Sequence, residues 1–300
     1  MNTPFRSSAA QSIATIATAF ALFVSSGVAL TASTAADQLT NGGAWSSTDP
    51  GARQVRFVDR HGPVLTRPQL YLIYWGTGWL PTAAPVPTPA RVTAAARTIV
   101  TGVYLDGLAQ YRGIGRGALR GSTVVTTSDP PAGFTGDQIE DFIDDQLSAG
   151  TVPGPDAANQ TLYGVVMPTG VTPEFAERGG THGYFEHAGQ RIPYAWFANR
   201  GALAAITRMV SHELVEAATD PEGSGIVGVA GTCDEPGWCE VADICESTWT
   251  VFDGVTVQAY WSNRNGECIL PGRTTPSTSP SRARHPSTDR APGRPGWEAT

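Results

Sequence analysis

Residues 206–219 read ITRMVSHELVEAAT, and apolar side chains recur in this stretch every three or four positions. Such spacing is typical of an amphipathic helix. We expect the helix to cover 202–218, because Pro221 cannot continue it. Its core side would carry Ile206, Val210, Leu214 and Ala217. The polar residues between them therefore lie on a second side of the helix, where they could carry chemistry.

That polar side carries the pattern H-E-x-x-E. His212 and Glu216 are four residues apart and project from one helix face, one turn above the other. Glu213 lies about a third of a turn round from His212. The spacing is that of the H-E-x-x-H metallopeptidase helix, with Glu216 in place of the second histidine. His212 and Glu216 are therefore candidate metal ligands, and Glu213 is the candidate general base.

A catalytic metal site needs a third protein ligand, and two acidic residues follow the helix closely enough to supply it. Residues 239–245 read CEVADIC. We prefer Glu240 as the ligand, with Asp243 as the alternative; the residue not used would orient a ligand. Zn²⁺ is the expected ion, although an oxygen-rich set also accepts harder divalent ions. His182 and His187 are further candidates, as ligands or oxyanion donors, against the alternative of structural histidines.

The rest of the central region alternates predicted strands with predicted helices. The run at 69–75, QLYLIYW, is almost continuously apolar and predicts a strand in the middle of a sheet. Thr135 and Gln138 form a capping-box pattern at the start of a helix. The pattern predicts an α+β (mixed α/β) domain with one core and a mixed sheet. The predicted strands are 54–58, 69–75, 122–126, 162–167, 192–197 and 255–261, and the other helices are 89–108 and 136–148.

The two ends of the chain differ from this central region. Residues 1–36 begin with a positive charge, continue with an apolar run and finish with small residues, which predicts a signal peptide; the alternative is an uncleaved membrane anchor. Residues 37–51 are a predicted flexible lead-in. Residues 272–300 are rich in Pro, Ser, Thr and Arg and predict a disordered tail. We expect the folded domain over 52–271 and the protein to be secreted.

Charge and cysteine content narrow the class of protein. With 27 acidic and 20 basic residues the formal net charge is −7, which argues against a nucleic-acid or polybasic membrane-surface binder. No second apolar stretch approaches membrane-spanning length. An even number of cysteines in an exported chain predicts two disulfides, and the absence of a C-x-x-C pair argues against a zinc ribbon. The four cysteines are Cys233, Cys239, Cys245 and Cys268, and they allow three pairings.

Several strings extend the helix motif into a resemblance that covers residues 54–270. They are LYLIYWG (70–76), GGTHG (179–183), PYAWFAN (193–199), SHELVEAATDP (211–221), EVADIC (240–245) and YWSNRNGEC (260–268). Together they resemble bacterial secreted zincin-like proteins related to the plant exordium (phosphate-induced protein) family. The resemblance implies a single extracellular zincin-like domain with an active-site helix and a disulfide-stapled C-terminal part. It also implies that Cys245 pairs with Cys268 and Cys233 with Cys239.

Motif and resemblance together lead to two functional hypotheses. The first is a secreted metal-dependent hydrolase, above all a zinc peptidase, acting on a peptide or cell-wall-associated substrate through a metal-activated water with Glu213 as base. The second is a non-catalytic extracellular binding or signalling protein of exordium type, with a structural or absent metal. Many plant relatives lack the H-E-x-x-E motif, which this chain keeps. One imidazole and two carboxylates would cancel the charge of the ion and leave it a weaker Lewis acid than a three-histidine site.

Overall fold

The structure, a computed structural model, describes residues 55–174, 179–229, 232 and 239–271. This part of the chain has the predicted α+β architecture, with three α-helices and thirteen strands. No helix in it is both long and apolar enough to cross a membrane. Three predicted segments lie outside the described residues: the signal peptide (1–36), the lead-in (37–51) and the tail (272–300).

A five-stranded mixed sheet forms the centre of the fold. Its strands lie in the spatial order β3 (Ala118–Val125), β2 (Gln69–Trp75), β5 (Thr161–Thr169), β8 (Gln190–Asn199) and β7 (Gly180–His187). The first four are mutually parallel, and β7 runs antiparallel to β8 at the edge. Parallel strands need crossover connections, which here carry helices onto both faces of the sheet.

Eight shorter strands form four two-stranded pairs around this sheet. They are β1 (Phe57–Asp59) with β9 (Ile226–Gly228), β4 (Gly133–Phe134) with β6 (Thr172–Pro173), β10 (Trp249–Phe252) with β11 (Val255–Gln258), and β12 (Tyr260–Ser262) with β13 (Glu267–Ile269).

The central strand β2 shows why the sheet is buried on both faces. Successive side chains of a strand point to opposite faces, so an almost wholly apolar strand needs two apolar layers. The two sets enter separate core clusters: Leu70, Leu72 and Tyr74 enter one, and Tyr71, Ile73 and Trp75 enter the other. The run at 69–75 was correctly predicted as a central strand for this reason.

Helices α1 (Pro89–Thr101) and α3 (Leu203–Thr219) cover the first face, and α2 (Gly136–Ser148) covers the second. The capping box of α2 is confirmed, since the Thr135 hydroxyl accepts from the Gln138 amide while the Gln138 side chain accepts from the Thr135 amide. The predicted core stripe of α3 is also confirmed. Its four residues, Ile206, Val210, Leu214 and Ala217, are all buried.

Two predicted elements are each divided in the structure, and the strands predicted over 54–58 and 122–126 are found at Phe57–Asp59 and Ala118–Val125. The helix predicted over 89–108 ends at Thr101, because Gly102 adopts an extended conformation; a separate 3-10 helix, Val103–Gln110, follows. The strand predicted over 255–261 is divided into β11 and β12 at Ala259. A glycine readily takes the extended conformation that ends a helix, and it costs an interior helix position about 1 kcal/mol.

A C-terminal group of short elements packs beside α3 and is fixed by a disulfide. The 3-10 helix Asp243–Cys245 is joined to β13 by the bridge Cys245–Cys268, the pairing that the resemblance implies. Cys239 is also disulfide-bonded. Its predicted partner, Cys233, lies outside the described residues, so the second pairing remains a prediction.

The bridge Cys245–Cys268 closes a sequence separation of 23 residues. We expect the double substitution Cys245→Ser with Cys268→Ser to lower the free energy of unfolding by about 3 kcal/mol, because the unfolded chain regains the entropy of an open loop. Urea unfolding followed by circular dichroism measures this loss. Replacing the exposed Val251 with Ser is the matched surface control, and a bridge variant as stable as that control would contradict the prediction.

Candidate metal centre

Three parts of the chain meet at the polar side of α3: the helix itself, the edge strand β7, and the segment 239–245. The side chain of Glu216 is 3% exposed and that of Glu213 is 4% exposed, so both carboxylates of the helix are buried. A buried carboxylate is stable only when positive charge or hydrogen-bond donors surround it. The groups that surround these two therefore define the site.

The first group consists of His212, Glu216 and Asp243, whose candidate ligand atoms all lie within 4.8 Å of one another. His212 Nε2 lies 3.1 Å from Glu216 Oε2 and 3.6 Å from Asp243 Oδ1. Ligand atoms placed tetrahedrally around Zn²⁺ are about 3.3 Å apart, given metal–ligand distances near 2.0–2.1 Å. The Asp243 side chain is 38% exposed, so this group opens to solvent on one side.

The segment 239–245 divides its two acidic residues between two positions. Asp243 lies beside His212, whereas Glu240 Oε1 lies 3.2 Å from His182 Nε2. The amide of Glu240 donates to Asp243 Oδ2 at 3.0 Å, which fixes the two residues relative to each other. The residue brought to His212 and Glu216 is therefore Asp243, the alternative ligand, and the preferred Glu240 contacts a different histidine.

His182 reaches the cluster from β7. It pairs across the strands with Ala195, which belongs to the core face covered by α3, so its side chain points towards the helix. His182 Nδ1 lies 3.3 Å from Glu213 Oε2 and 3.8 Å from Glu216 Oε2. The three side chains His182, Glu213 and Glu216 form a second group of candidate ligands within 4.8 Å.

The position of His187 favours the alternative considered for these histidines, a structural role. It lies five positions from His182 on the same strand, and an odd separation places it on the opposite face. Its Nδ1 contacts Asp144 Oδ1 of α2 at 2.6 Å. The structure therefore brings His182 to the cluster and gives His187 a partner elsewhere.

The close approach of β7 to α3 depends on Gly180. A Cβ atom at this position would lie 2.7 Å from Glu213 Oε1 and 3.0 Å from the carbonyl oxygen of Trp196. Both distances are shorter than an ordinary van der Waals contact. Any side chain at position 180 would push the strand away from the Glu213 carboxylate, and His182 with it.

Gln258, at the end of β11, contacts Nδ1 of His212, the ring nitrogen that does not face Glu216. The sequence did not predict this contact. Gln258 Nε2 lies 2.7 Å from His212 Nδ1 and donates to the Ala242 carbonyl at 3.0 Å. Coordination of an ion through Nε2 requires a proton on Nδ1. Turning the amide to present Gln258 Oε1 to that proton would break the bond from Nε2 to the Ala242 carbonyl. A single glutamine in an apolar strand carries no sequence signal for such a role.

Burial and charge act in opposite directions on the titratable groups. Burial disfavours the charged form of His212, but Glu216 first, then Glu213 and Asp243, outweigh it and raise the pKa of His212 to about 10. Burial likewise opposes the charge on His182, and the carboxylates of Glu240 and Glu213 raise its pKa well above the ordinary value. Burial raises the pKa of the Glu216 carboxyl, against the attraction of His212. Added positive charge would therefore stabilise the buried carboxylates of the cluster.

A divalent ion would supply this positive charge. Oε1 of Glu216 is buried and has no hydrogen-bond partner among the described residues. Two imidazoles with carboxylates nearby are a donor set that Zn²⁺ and other divalent ions accept. The residues present therefore fit a metal ion, with His212, Glu216 and Asp243 as one possible ligand set.

Comparison with known proteins adds no relative. No family model, no curated protein and no solved structure matches this chain. The resemblance to zincin-like and exordium-type proteins therefore remains a prediction, and the site is interpreted from its own geometry.

For the metal-free protein we expect the free energy of unfolding to fall as the pH rises from 6.5 to about 10. The lower value is the ordinary pKa of histidine, and the upper is the pKa of His212 in the folded protein. The folded state holds this proton more tightly than the unfolded state, so the stabilisation is complete below 6.5 and is lost as the pH rises through the folded value. The slope is up to about 1.4 kcal/mol per pH unit for each proton.

Urea unfolding in the presence of a chelator, repeated across this pH range, measures the slope. Glu216→Gln should flatten it, because the main attraction for the His212 proton is removed, whereas His187→Ala should leave it unchanged. A stability that rises with pH in the wild-type chain would contradict the electrostatic account of the cluster.

Proposed function

We propose that this protein is a metal-dependent hydrolase, and specifically a zinc peptidase, whose ion is held by His212, Glu216 and Asp243. The observation that carries the proposal is the spacing of their ligand atoms, all within 4.8 Å of one another around a buried carboxylate. The orphaned Oε1 of Glu216 supports it, since an unpaired buried carboxylate oxygen costs free energy that an ion would recover.

When bound, such an ion supplies Lewis acidity that lowers the pKa of a water molecule and polarises a carbonyl group. His212 and Glu216 come from adjacent turns of α3, so their relative position is fixed by the helix. Asp243 comes from the disulfide-bonded segment and lies on the solvent side, from which a substrate would enter. With one imidazole and two carboxylates the site is electrically neutral, which makes proton removal by a base more important.

Glu213 is the proposed general base. It neighbours His212 on α3, and its Oε2 lies 3.3 Å from His182 Nδ1. A hydrogen bond there leaves the remaining lone pairs of the carboxylate to take up the proton of the attacking water and to return it to the leaving amine. His182 thus keeps the carboxylate in one orientation, which a base acting on a fixed reaction centre requires.

A peptide is the proposed substrate because of the strand that borders the cluster. β7 ends the five-stranded sheet and carries His182 into the site. An extended peptide can pair with such an edge through main-chain hydrogen bonds. A peptide in that position would lie alongside Glu213 and the ion ligands.

The disulfide Cys245–Cys268 supports action in an oxidising compartment, in keeping with the predicted export signal. We therefore propose that the protein works outside the cell. Retention of an ion without any hydrolysis would instead favour the non-catalytic binding or signalling alternative.

Glu213→Gln should lower hydrolysis of a mixed peptide library by about 10²–10⁴-fold while leaving the ion held by His212, Glu216 and Asp243 in place, because the amide cannot accept the proton. Product release by mass spectrometry and metal content by elemental analysis give the two measurements. Glu186→Gln is the matched control, since this glutamate is exposed on β7 and pairs with Arg191.

His212→Ala and Asp243→Ala should each lose the ion as well as the activity. A wild-type chain that binds no divalent ion would remove the proposal, and so would a Glu213→Gln variant that hydrolyses peptides at the wild-type rate.

A further inference from the structure

We propose that His182, Glu213 and Glu216 form a second divalent-cation site, and that an ion bound there inhibits the hydrolase by engaging its general base. The inference rests on the proposed function, whose ion lies in the neighbouring group of His212, Glu216 and Asp243. Glu216 belongs to both groups and would bridge the two ions.

The geometry of the second group is as compact as that of the first. Its ligand atoms lie within 4.8 Å of one another, and His182 Nδ1 is 3.3 Å from Glu213 Oε2 and 3.8 Å from Glu216 Oε2. These are the separations of atoms around one ion with metal–ligand distances near 2 Å, which puts neighbouring ligands about 3.3 Å apart. All three side chains are at most 8% exposed.

The surroundings of the His182 ring determine which of its nitrogens would be the ligand. Its Nε2 lies 3.2 Å from the Asp220 carbonyl oxygen and 3.2 Å from Glu240 Oε1, both of which can only accept, so Nε2 carries a hydrogen. Nδ1 faces the carboxylates of Glu213 and Glu216 at 3.3 and 3.8 Å, and in the metal-free protein its hydrogen bonds to Glu213. A divalent ion would replace that hydrogen, with Nδ1 as its nitrogen ligand.

A second ion would also complete the charge balance of the cluster. Four carboxylates, those of Glu213, Glu216, Glu240 and Asp243, lie around the two imidazoles. Counting these four carboxylates alone and taking both imidazoles as neutral, one divalent ion leaves two negative charges and two divalent ions leave none. Glu240 would then accept the Nε2 hydrogen of His182, the arrangement that commonly orients a metal-binding histidine.

Occupancy of the second group has a direct chemical consequence. The Glu213 oxygen that contacts His182 would become a ligand, and the carboxylate would no longer be available to accept a proton. The first ion promotes hydrolysis, whereas the second removes the base. Activity should therefore rise and then fall as Zn²⁺ is added to the metal-free chain.

The experiment counts ions and follows activity in the same titration. The untagged full chain, stripped with a chelator, is titrated with Zn²⁺ by calorimetry, and bound zinc is measured after gel filtration. We expect two ions per chain and a peptidase activity that falls about tenfold or more as the weaker site fills. His182→Ala should bind one ion, and its activity, measured against its own maximum, should not fall at high Zn²⁺, even though loss of the contact with Glu213 lowers that maximum.

Two further variants control this result. His187→Ala removes a histidine from the same strand but from the opposite face, and it should retain both ions and the inhibition. Glu240→Gln tests the outer partner of His182 without touching a ligand, and it should weaken the second site by about 10–100-fold. If His182→Ala fails to fold, as judged by circular dichroism, Glu240→Gln decides.

Each outcome separates the two proposals. One ion in the wild-type chain overturns the second site and leaves the proposed hydrolase intact, whereas no bound ion overturns both. Two ions in His182→Ala, or an unchanged second affinity in Glu240→Gln, overturns the assignment of the second site to His182.

Discussion

Burial of the Glu216 carboxylate within α3 has to be offset by positive charge, since a buried anion without a partner costs several kcal/mol. Compensating groups come from separate parts of the chain: His212 from the same helix and His182 from β7. Each constrains the element that carries it, because β7 must approach the helix closely. The central sheet supports this arrangement by presenting β7 and β8 beside α3 at a fixed distance.

The elements that pack against the core were predictable, because burial leaves a periodic pattern. The apolar stripe of α3 and the continuous apolar run of β2 each reflect how many faces of the element are covered. The H-E-x-x-E spacing likewise fixed His212, Glu213 and Glu216 on one side of the helix, where the structure has them. These predictions depend only on geometry within a single element.

The remaining site residues depend on contacts between elements, and local patterns do not encode such contacts. β7 reads GTHGYFEH, and Phe185 is the only apolar side chain that it buries, so it has no alternating apolar pattern to indicate a strand. Glu240 and Asp243 lie in an irregular segment, where a separation of three residues does not determine direction. The turn of the 3-10 helix at Asp243, rather than distance along the chain, decides which carboxylate reaches His212.

The bridge Cys245–Cys268 makes the geometry of the candidate ion site depend on the oxidation state of these two cysteines. Asp243 opens the short helix that ends at Cys245, so this carboxylate is held in place by a bond that forms only on oxidation. Under the proposed function, a reduced chain would hold the ion through His212 and Glu216 alone. Formation of the disulfide would then complete the proposed ligand set, and the proposed activity would be confined to an oxidising compartment.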